Sequence, residues 1–416
     1  MVSDFININL DATIGKLNVL AQKLCLNNTV EFVYTNGVVL ENEYFNLLAQ
    51  KAKEIAPFGK VVIFCTQKNY STFADKVYRS LKKQAMRPTI FVAQEKQGVV
   101  INDVAGYFSL AEDIRLAIVC DEILFDKATY FCTLKNIPLV ECIRSYDCYL
   151  SLLNKIYVDT GKFIDEYLVN CKRYILFDYQ SILVSDKLKA ITLIGGKVCV
   201  YLDYKINRII LGLLENSLIN SVFQTVIENT VMLINGDYDD CATFNALIYG
   251  MFALELLNMA DGGVINDCSC ARQVSRLLNG GLLFDDMSEY FAVKKTLEKI
   301  ACDTDKDNFE YSVDYVTLSL DVAKKLKLDE RRVVKNILST AKTMRECVGF
   351  NKLFLAVKPI AKTLCEQFVV IDKYFRKLGG NKLYHDKSIE KNLWISGYSA
   401  GINYVSLLCE NGKLKI

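Results

Sequence analysis

The chain has 416 residues, of which 51% are apolar, 24% charged and 11% aromatic, with 50 basic side chains against 48 acidic ones. Length and composition predict a soluble globular protein of two domains, each able to bury a core, and a net charge of +2 offers no clustered basic footprint for nucleic acid or an anionic membrane. The single histidine, His385, excludes any mechanism that needs two, such as a two-histidine metal site.

From the start of the chain, Met1 to Leu10 shows no basic segment followed by an apolar one, so no secretory signal is expected and a cytoplasmic location follows. In that compartment the 15 dispersed cysteines read as reduced, buried small hydrophobes rather than a disulfide framework. No run of about 18 uncharged apolar residues occurs, so membrane insertion is not expected.

The first part of the chain alternates short β-rich runs with amphipathic stretches. Val30 to Tyr34 predicts a strand and Glu41 to Ala56 a helix; Lys60 to Thr66 is the next strand, followed by a helix over Ser71 to Gln84. Strands are then expected over Pro88 to Ala93 and Arg115 to Val119, a helix near Phe125 to Leu134, and a strand over Pro138 to Cys142. Continuous apolar strands separated by helices signal a parallel sheet covered on both faces. Between residues 156 and 208, two further β-like runs, Tyr174 to Phe177 and Lys197 to Leu202, read as strands at a domain junction.

From about Ile209 onward the pattern is helical, with long stretches near Leu213 to Asn235, Cys241 to Met259, Cys270 to Leu278, Glu289 to Ala301, Val313 to Leu326, Asp329 to Val348, Leu353 to Leu378 and Lys387 to Glu410. Asp329 suits an N-cap, and Gly379-Gly380 suits the end of the preceding helix. The expected layout is a doubly wound α/β domain over residues 1–155, a β-containing junction over 156–208 and an all-helical domain over 209–416.

In an open parallel sheet, ligands bind outside the carboxyl ends of the strands, where a glycine-rich turn lets backbone amides reach phosphate. The turn after Arg115 to Val119 reads Cys120-Asp121-Glu122-Ile123-Leu124-Phe125-Asp126 and contains no glycine. Its side chains would hold a pyrophosphate away, and its carboxylates would repel it: one like-charge pair at ~4 Å costs on the order of 4 kcal/mol at an effective dielectric of about 20. Taken alone, this is an acidic surface turn with no phosphate duty.

The segment from Ile114 through Ser151 resembles the sn-glycerol-1-phosphate dehydrogenase branch of the iron-containing alcohol dehydrogenase, glycerol dehydrogenase and dehydroquinate synthase superfamily. There a strand is followed by Gly-Ser-Gly-Thr-Ile-Asn-Asp, a helix, a Pro-led strand and Pro-Ser-Met-Asp-Gly-Tyr-x-Ser. Here Cys120 to Asp126 stands at the first motif and keeps Asp126; Arg144 to Ser151 stands at the second and keeps Ser145, Asp147, Tyr149 and Ser151. Asp203 is similar to an aspartate that precedes the first long helix of the second domain, and Leu407 to Leu414 is similar to the family's closing Leu-Leu-Glu-Glu-x-Gly-Leu-Leu. The resemblance implies a dehydroquinate synthase-like fold, a Rossmann-like α/β domain followed by an all-α domain. It also implies an ancestral NAD(P) site at Cys120, Asp121, Glu122, Asp126, Ser145 and Asp147, with Asp147 in the interdomain cleft.

The family's zinc or iron is held by one aspartate and two histidines. The resemblance carries these positions onto Asn220, Cys268 and Asp285. An amide is a poor donor for such a cation, and Cys268 with Asp285 makes only two candidate ligands. Cys268-Ser269-Cys270 is too tightly spaced for a zinc knuckle and reads as a helix start, and His385, near the start of the last helix, takes no role. The family's Arg-x-Arg-Phe-Thr stretch is replaced by Ser399 to Asn403, which removes arginines expected to bind a phosphorylated substrate. Without the cation, which polarises the substrate oxygen during hydride transfer, another charge must stabilise the developing alkoxide. Lys127, Lys162 and Lys197 fall near the expected cleft and read as solvated.

The expected function is therefore a diverged glycerol-1-phosphate dehydrogenase-like protein whose NAD(P) and zinc or iron sites are weakened or lost, catalytically impaired or repurposed. The alternative is an active NAD(P)-dependent oxidoreductase that reduces dihydroxyacetone phosphate or a related small ketone through a rearranged site. A dehydroquinate-synthase-like lyase is a third reading. The partner, a small molecule or a protein, is not identified by the sequence; nucleic acid and membrane insertion are not expected, and a homo-oligomer is compatible with it.

Overall fold

Seven residues, Lys60-Val-Val-Ile-Phe-Cys-Thr66, form a strand with every position after the first buried, which requires a strand covered on both faces. The computed structural model describes residues 30–34, 41–93, 99–100, 113–121, 124–144, 155–159, 164–168, 171–178, 212–235 and 350–377, with isolated positions elsewhere. Two compact units divide the chain, one made of Asn9–Asp186 and Gly281–Leu283, the other of Met1–Ile8, Lys187–Gly280 and Phe284–Ile416.

In the first unit the strands are β1 (Val30–Tyr34), β2 (Lys60–Thr66), β3 (Arg87–Ala93), β4 (Val99–Val100), β5 (Ile114–Val119), β6 (Leu139–Ile143), β7 (Lys155–Asp159), β8 (Ile164–Leu168) and β9 (Arg173–Phe177). Six of them make one sheet in the order β1-β9-β6-β5-β2-β3, with every pairing parallel. The central strands β2, β5 and β6 are buried almost throughout, whereas edge strand β3 alternates in exposure. Pro88, which has no amide to donate, lies on that edge strand.

Helix α1 (Glu41–Ile55) buries Tyr44, Phe45, Leu48, Ala49 and Ala52, one stripe at helical spacing. These pack with Phe73, Ala74, Val77 and Leu81 against Val61, Ile63, Cys65, Leu116, Ile118, Cys120, Val140 and Cys142 on one sheet face. The opposite face receives α3 (Phe125–Lys135), whose Phe131 meets Phe64 edge-on at 5.4 Å. Helices on both faces make this a Rossmann-like α/β unit.

The segment expected to be helical from Ser71 opens as one π-helical turn, Tyr70–Ala74, and continues as α2 (Asp75–Lys83). Helix α3 ends at Asn136 in the left-handed region, φ 53, where its amide and that of Ile137 close onto Thr133 and Cys132 carbonyls. Gly59 sits so close to Arg115 that a Cβ there would lie 2.5 Å from the arginine Cγ. Tyr174 to Phe177, read from sequence as a junction strand, forms β9 (Arg173–Phe177) inside the sheet between β1 and β6. A second sheet, β4-β7-β8, escaped the sequence reading because β4 is only Val99–Val100 and the other two strands are short and charged, as in Ile-Asp-Glu-Tyr-Leu; it lies against α3.

In the second unit the long described helices are α4 (Ser217–Asn235) and α5 (Phe350–Lys377), which pack on each other. Tyr201, placed in a strand by the sequence reading, is helical; aromatic β-propensity is overridden there by stacking on Phe223 at 3.9 Å and 6°. Asp329 stands immediately before helical Glu330 and Arg331, as an N-cap would. The other expected helical stretches of 209–416 fall largely outside the described residues. The described cysteines are free thiols, five of them buried, with Cys365 half-buried and Cys302 exposed.

Candidate functional site

Strand β2 continues to β3 on one side of the sheet, and the chain then returns to place β5 on its other side. The helices that follow β2 and β5 lie on opposite faces, so the carboxyl ends of these two strands form the topological switch point where such folds bind ligands. The residues there are Thr66, the Gln67-Lys68-Asn69 turn, Cys120 and Asp121.

Asp121 is 4% exposed. Its Oδ2 accepts the Thr66 N–H at 2.6 Å, its Oδ1 accepts a hydrogen bond from the Asn69 side-chain amide, and its backbone carbonyl accepts the Leu124 N–H at 2.8 Å. Thr72 donates its hydroxyl to the Asn69 Oδ1 at 3.3 Å, which turns the amide nitrogen toward Asp121. Burial, helped by the Asp121 charge, pushes the Cys65 thiol up to about 11. The expected surface turn is thus buried at Asp121, because its carboxylate finds donors 55 and 52 residues earlier in the chain. Charge-assisted bonds of this kind contribute about 1.5–3 kcal/mol each.

One strand further along, at the ends of β6 and β9, Arg144 donates from Nε to Asp178 Oδ2 at 3.0 Å and from Nη2 to Ser181 Oγ at 2.9 Å. Ser181 donates its hydroxyl to Asp178 Oδ2 at 2.6 Å and its amide to Oδ1 at 3.2 Å. The guanidinium also lies 5.1 Å over the Phe73 ring. Burial works against its charge, but Asp178 more than offsets this and holds Arg144 above the ordinary arginine value. Burial raises both the Tyr44 phenol and the Cys142 thiol, Cys142 to about 12.

Among the other expected positions, Cys120 faces the core at 3% exposure, and Asp126 is half-buried in the first turn of α3. Lys127 is 1% exposed, which corrects its reading as a solvated lysine: it is one of six buried residues of α3. Burial raises the Glu141 carboxyl, with Arg173 at 3.6 Å opposing the shift and Asp126 adding to it. Glu122, Ser145, Asp147, Lys162 and Lys197 lie outside the described residues.

In the second unit Asn220 is on the first turn of α4, which Asn216 starts by accepting the Leu218 N–H at 3.0 Å. The Asn220 Oδ1 accepts the Tyr201 hydroxyl at 2.9 Å, and its Nδ2 donates to Glu215 Oε2 at 3.2 Å. Lys205 pairs with the same Glu215 oxygen and lies 5.2 Å over the Tyr201 ring. The amide oxygen that would face a cation is engaged by a phenol, and its other end by a carboxylate. Cys268 and Asp285 lie outside the described residues, and among the described residues no group of three or more His, Cys, Asp or Glu is placed to hold a metal ion. The switch-point carboxylate is thus engaged by Thr66 and Asn69, and the Asn220 amide by Tyr201 and Glu215.

Sequence reasoning missed Thr66, Asn69, Arg144, Asp178, Ser181, Tyr201, Lys205 and Glu215. Asn69, an Asx residue between a buried strand and a helix, carried a local signal; the other switch-point partners become visible only once the strand order is known.

No known family model and no curated protein matches the sequence. Solved structures do match. An NADH-dependent butanol dehydrogenase from Thermotoga maritima superposes with TM-score 0.55 over 93% of this chain and 97% of that one, at 12% identity. An archaeal halo-thermophilic alcohol dehydrogenase from a Red Sea brine pool gives TM-score 0.53 over 92% and 96%, at 9% identity. A 1,3-propanediol oxidoreductase gives 0.51 over 92% and 97%, at 11% identity. The chain shares the fold of these dehydrogenases. At such identities the likeness is one of fold, and its described core is the Rossmann-like α/β unit. Among the described residues no helix is long and apolar enough to cross a membrane.

Proposed function

We propose that the protein is a diverged relative of the sn-glycerol-1-phosphate dehydrogenases that keeps the scaffold and has lost ready binding of NAD(P) and of zinc or iron. The observation that carries this reading is the buried Asp121 carboxylate bonded to Thr66 and Asn69 at the switch point. A dinucleotide seated there in the ordinary way would place its pyrophosphate against that charge, at a cost on the order of 4 kcal/mol per close like-charge contact. This is about three powers of ten in affinity, half of a micromolar binding energy. The engagement of Asn220 by Tyr201 and Glu215 supports the same reading for the cation.

In this reading hydride transfer is impaired because neither cofactor nor polarising cation is held, and the protein serves in the cytoplasm as a binding or partner subunit, alone or as a homo-oligomer. Fluorescence titration of the full-length protein with NADH and NADPH, joined to measurement of its zinc and iron content, tests it. The expected result is no saturable nucleotide signal and substoichiometric metal. Tight nucleotide binding with one metal per chain would instead establish the active oxidoreductase, and turnover of dihydroxyacetone phosphate abolished by a chelator would name its reaction.

A further inference from the structure

The donors at the switch point are held in place by parts of the chain other than Asp121. The Thr66 N–H belongs to the last residue of β2, which is fixed by pairing to β3 on one side and flanked by β5 on the other. The Asn69 backbone is fixed because its carbonyl accepts the Phe73 and Ala74 amides, both at 3.1 Å. Its side chain is oriented by the Thr72 hydroxyl. Two N–H groups held by other contacts therefore converge on one carboxyl group, the Thr66 amide at Oδ2 and the Asn69 side chain at Oδ1. Cys120 turns into the core at 3% exposure, so among the described residues the group that fills the switch point is the Asp121 side chain.

A carboxylate and a phosphate oxygen make the same contacts with such donors: charge-assisted N–H···O bonds to an anion. We propose that Asp121 is a built-in anion that occupies the phosphate position of the switch point, so that the crevice is closed by the protein's own side chain, and a neutral residue at 121 opens it to ligands bearing a phosphate or pyrophosphate group. This rests on the reading that the native protein does not bind a dinucleotide, and extends it. A site whose donors had disappeared could not be restored by one substitution, whereas a site occupied from within can.

The test uses the full-length protein with inorganic pyrophosphate as probe, titrated calorimetrically at low salt. Native protein is expected to give no saturable heat. Asp121→Ser is expected to bind pyrophosphate at one site per chain, and adding Asn69→Ala is expected to weaken that binding about tenfold, the loss of one charge-assisted bond. An Asp121→Ser protein with native far-ultraviolet circular dichroism and a cooperative melt that takes up no pyrophosphate overturns the proposal. So does uptake that is indifferent to Asn69→Ala, or uptake by the native protein. Should Asp121→Ser fail to fold, the isosteric Asp121→Asn decides by the same readout. Native protein that binds NADH refutes the diverged-dehydrogenase reading itself; a native protein inert to NADH with a folded, inert Asp121→Ser refutes only the internal-anion proposal.

Discussion

Replacing Asp178 with Ala removes the acceptor for three donors at once: Arg144 Nε at 3.0 Å, the Ser181 amide at 3.2 Å and the Ser181 hydroxyl at 2.6 Å. Arg144 is 20% exposed and Asp178 7%, so the arginine left behind is an incompletely hydrated charge. Breaking such a pair costs about 3–5 kcal/mol. The Ser181 hydroxyl and the Phe73 face remain to Arg144, which places the expected loss near the lower bound, about 3 kcal/mol. Native-state hydrogen exchange of peptides spanning β6 and β9 reads the change in the unit that holds the pair, independently of unfolding elsewhere. Asp178→Asn should lose less, because an amide oxygen in the place of Oδ2 still accepts two of the three bonds, those from Arg144 Nε and the Ser181 hydroxyl. The double variant Arg144→Met with Asp178→Leu should be less destabilised than Asp178→Ala, because no charge is left buried and unpaired. A loss under about 1 kcal/mol for Asp178→Ala, the value for an exposed pair, would refute the assignment of this cluster as a buried anchor of the carboxyl edge.

Burial holds the Glu141 proton more tightly in the folded chain than in the unfolded one. As pH rises out of the ordinary carboxylate range, the unfolded state loses this proton first, so stability falls until the folded value is passed. Glu141→Gln should flatten that part of the melting temperature against pH profile, and an unchanged slope would contradict the raised carboxyl. Asn220→Ala, which strands the Tyr201 hydroxyl, should destabilise α4 by about 1–3 kcal/mol without changing zinc or iron content; loss of bound metal would contradict its role as a helix anchor. Brief treatment with iodoacetamide near pH 8, mapped by peptide mass spectrometry, should modify exposed Cys302 and spare Cys65, Cys132 and Cys142, whose thiols are buried and raised. Labelling of those three in the native protein at the rate of Cys302 would show the core to be more open than described.

The strands of the large sheet were legible because a strand covered on both faces must be apolar throughout, and Lys60-Val-Val-Ile-Phe-Cys-Thr66 meets that demand without help from tertiary context. The β4-β7-β8 sheet was not, since segments such as Ile-Asp-Glu-Tyr-Leu carry charges that look like loop. Tyr201 shows the limit of propensity: one aromatic stack and one phenol bond decide its helical state. The missing glycine in the turn after β5 could be read directly, and so could its consequence for a pyrophosphate. That Asp121 is buried could not, because its partners Thr66 and Asn69 are brought to it by a strand crossover. Lys127 failed for a similar reason, since a lysine in a helix is assigned to water unless the neighbouring surfaces are known.

The most direct test of the closed switch point is isothermal titration of the native full-length protein with NADH, and with NADPH in a parallel run, at low salt. Internal occupation of the crevice by Asp121 predicts no saturable heat for either nucleotide. Binding of one nucleotide per chain with micromolar affinity would contradict it.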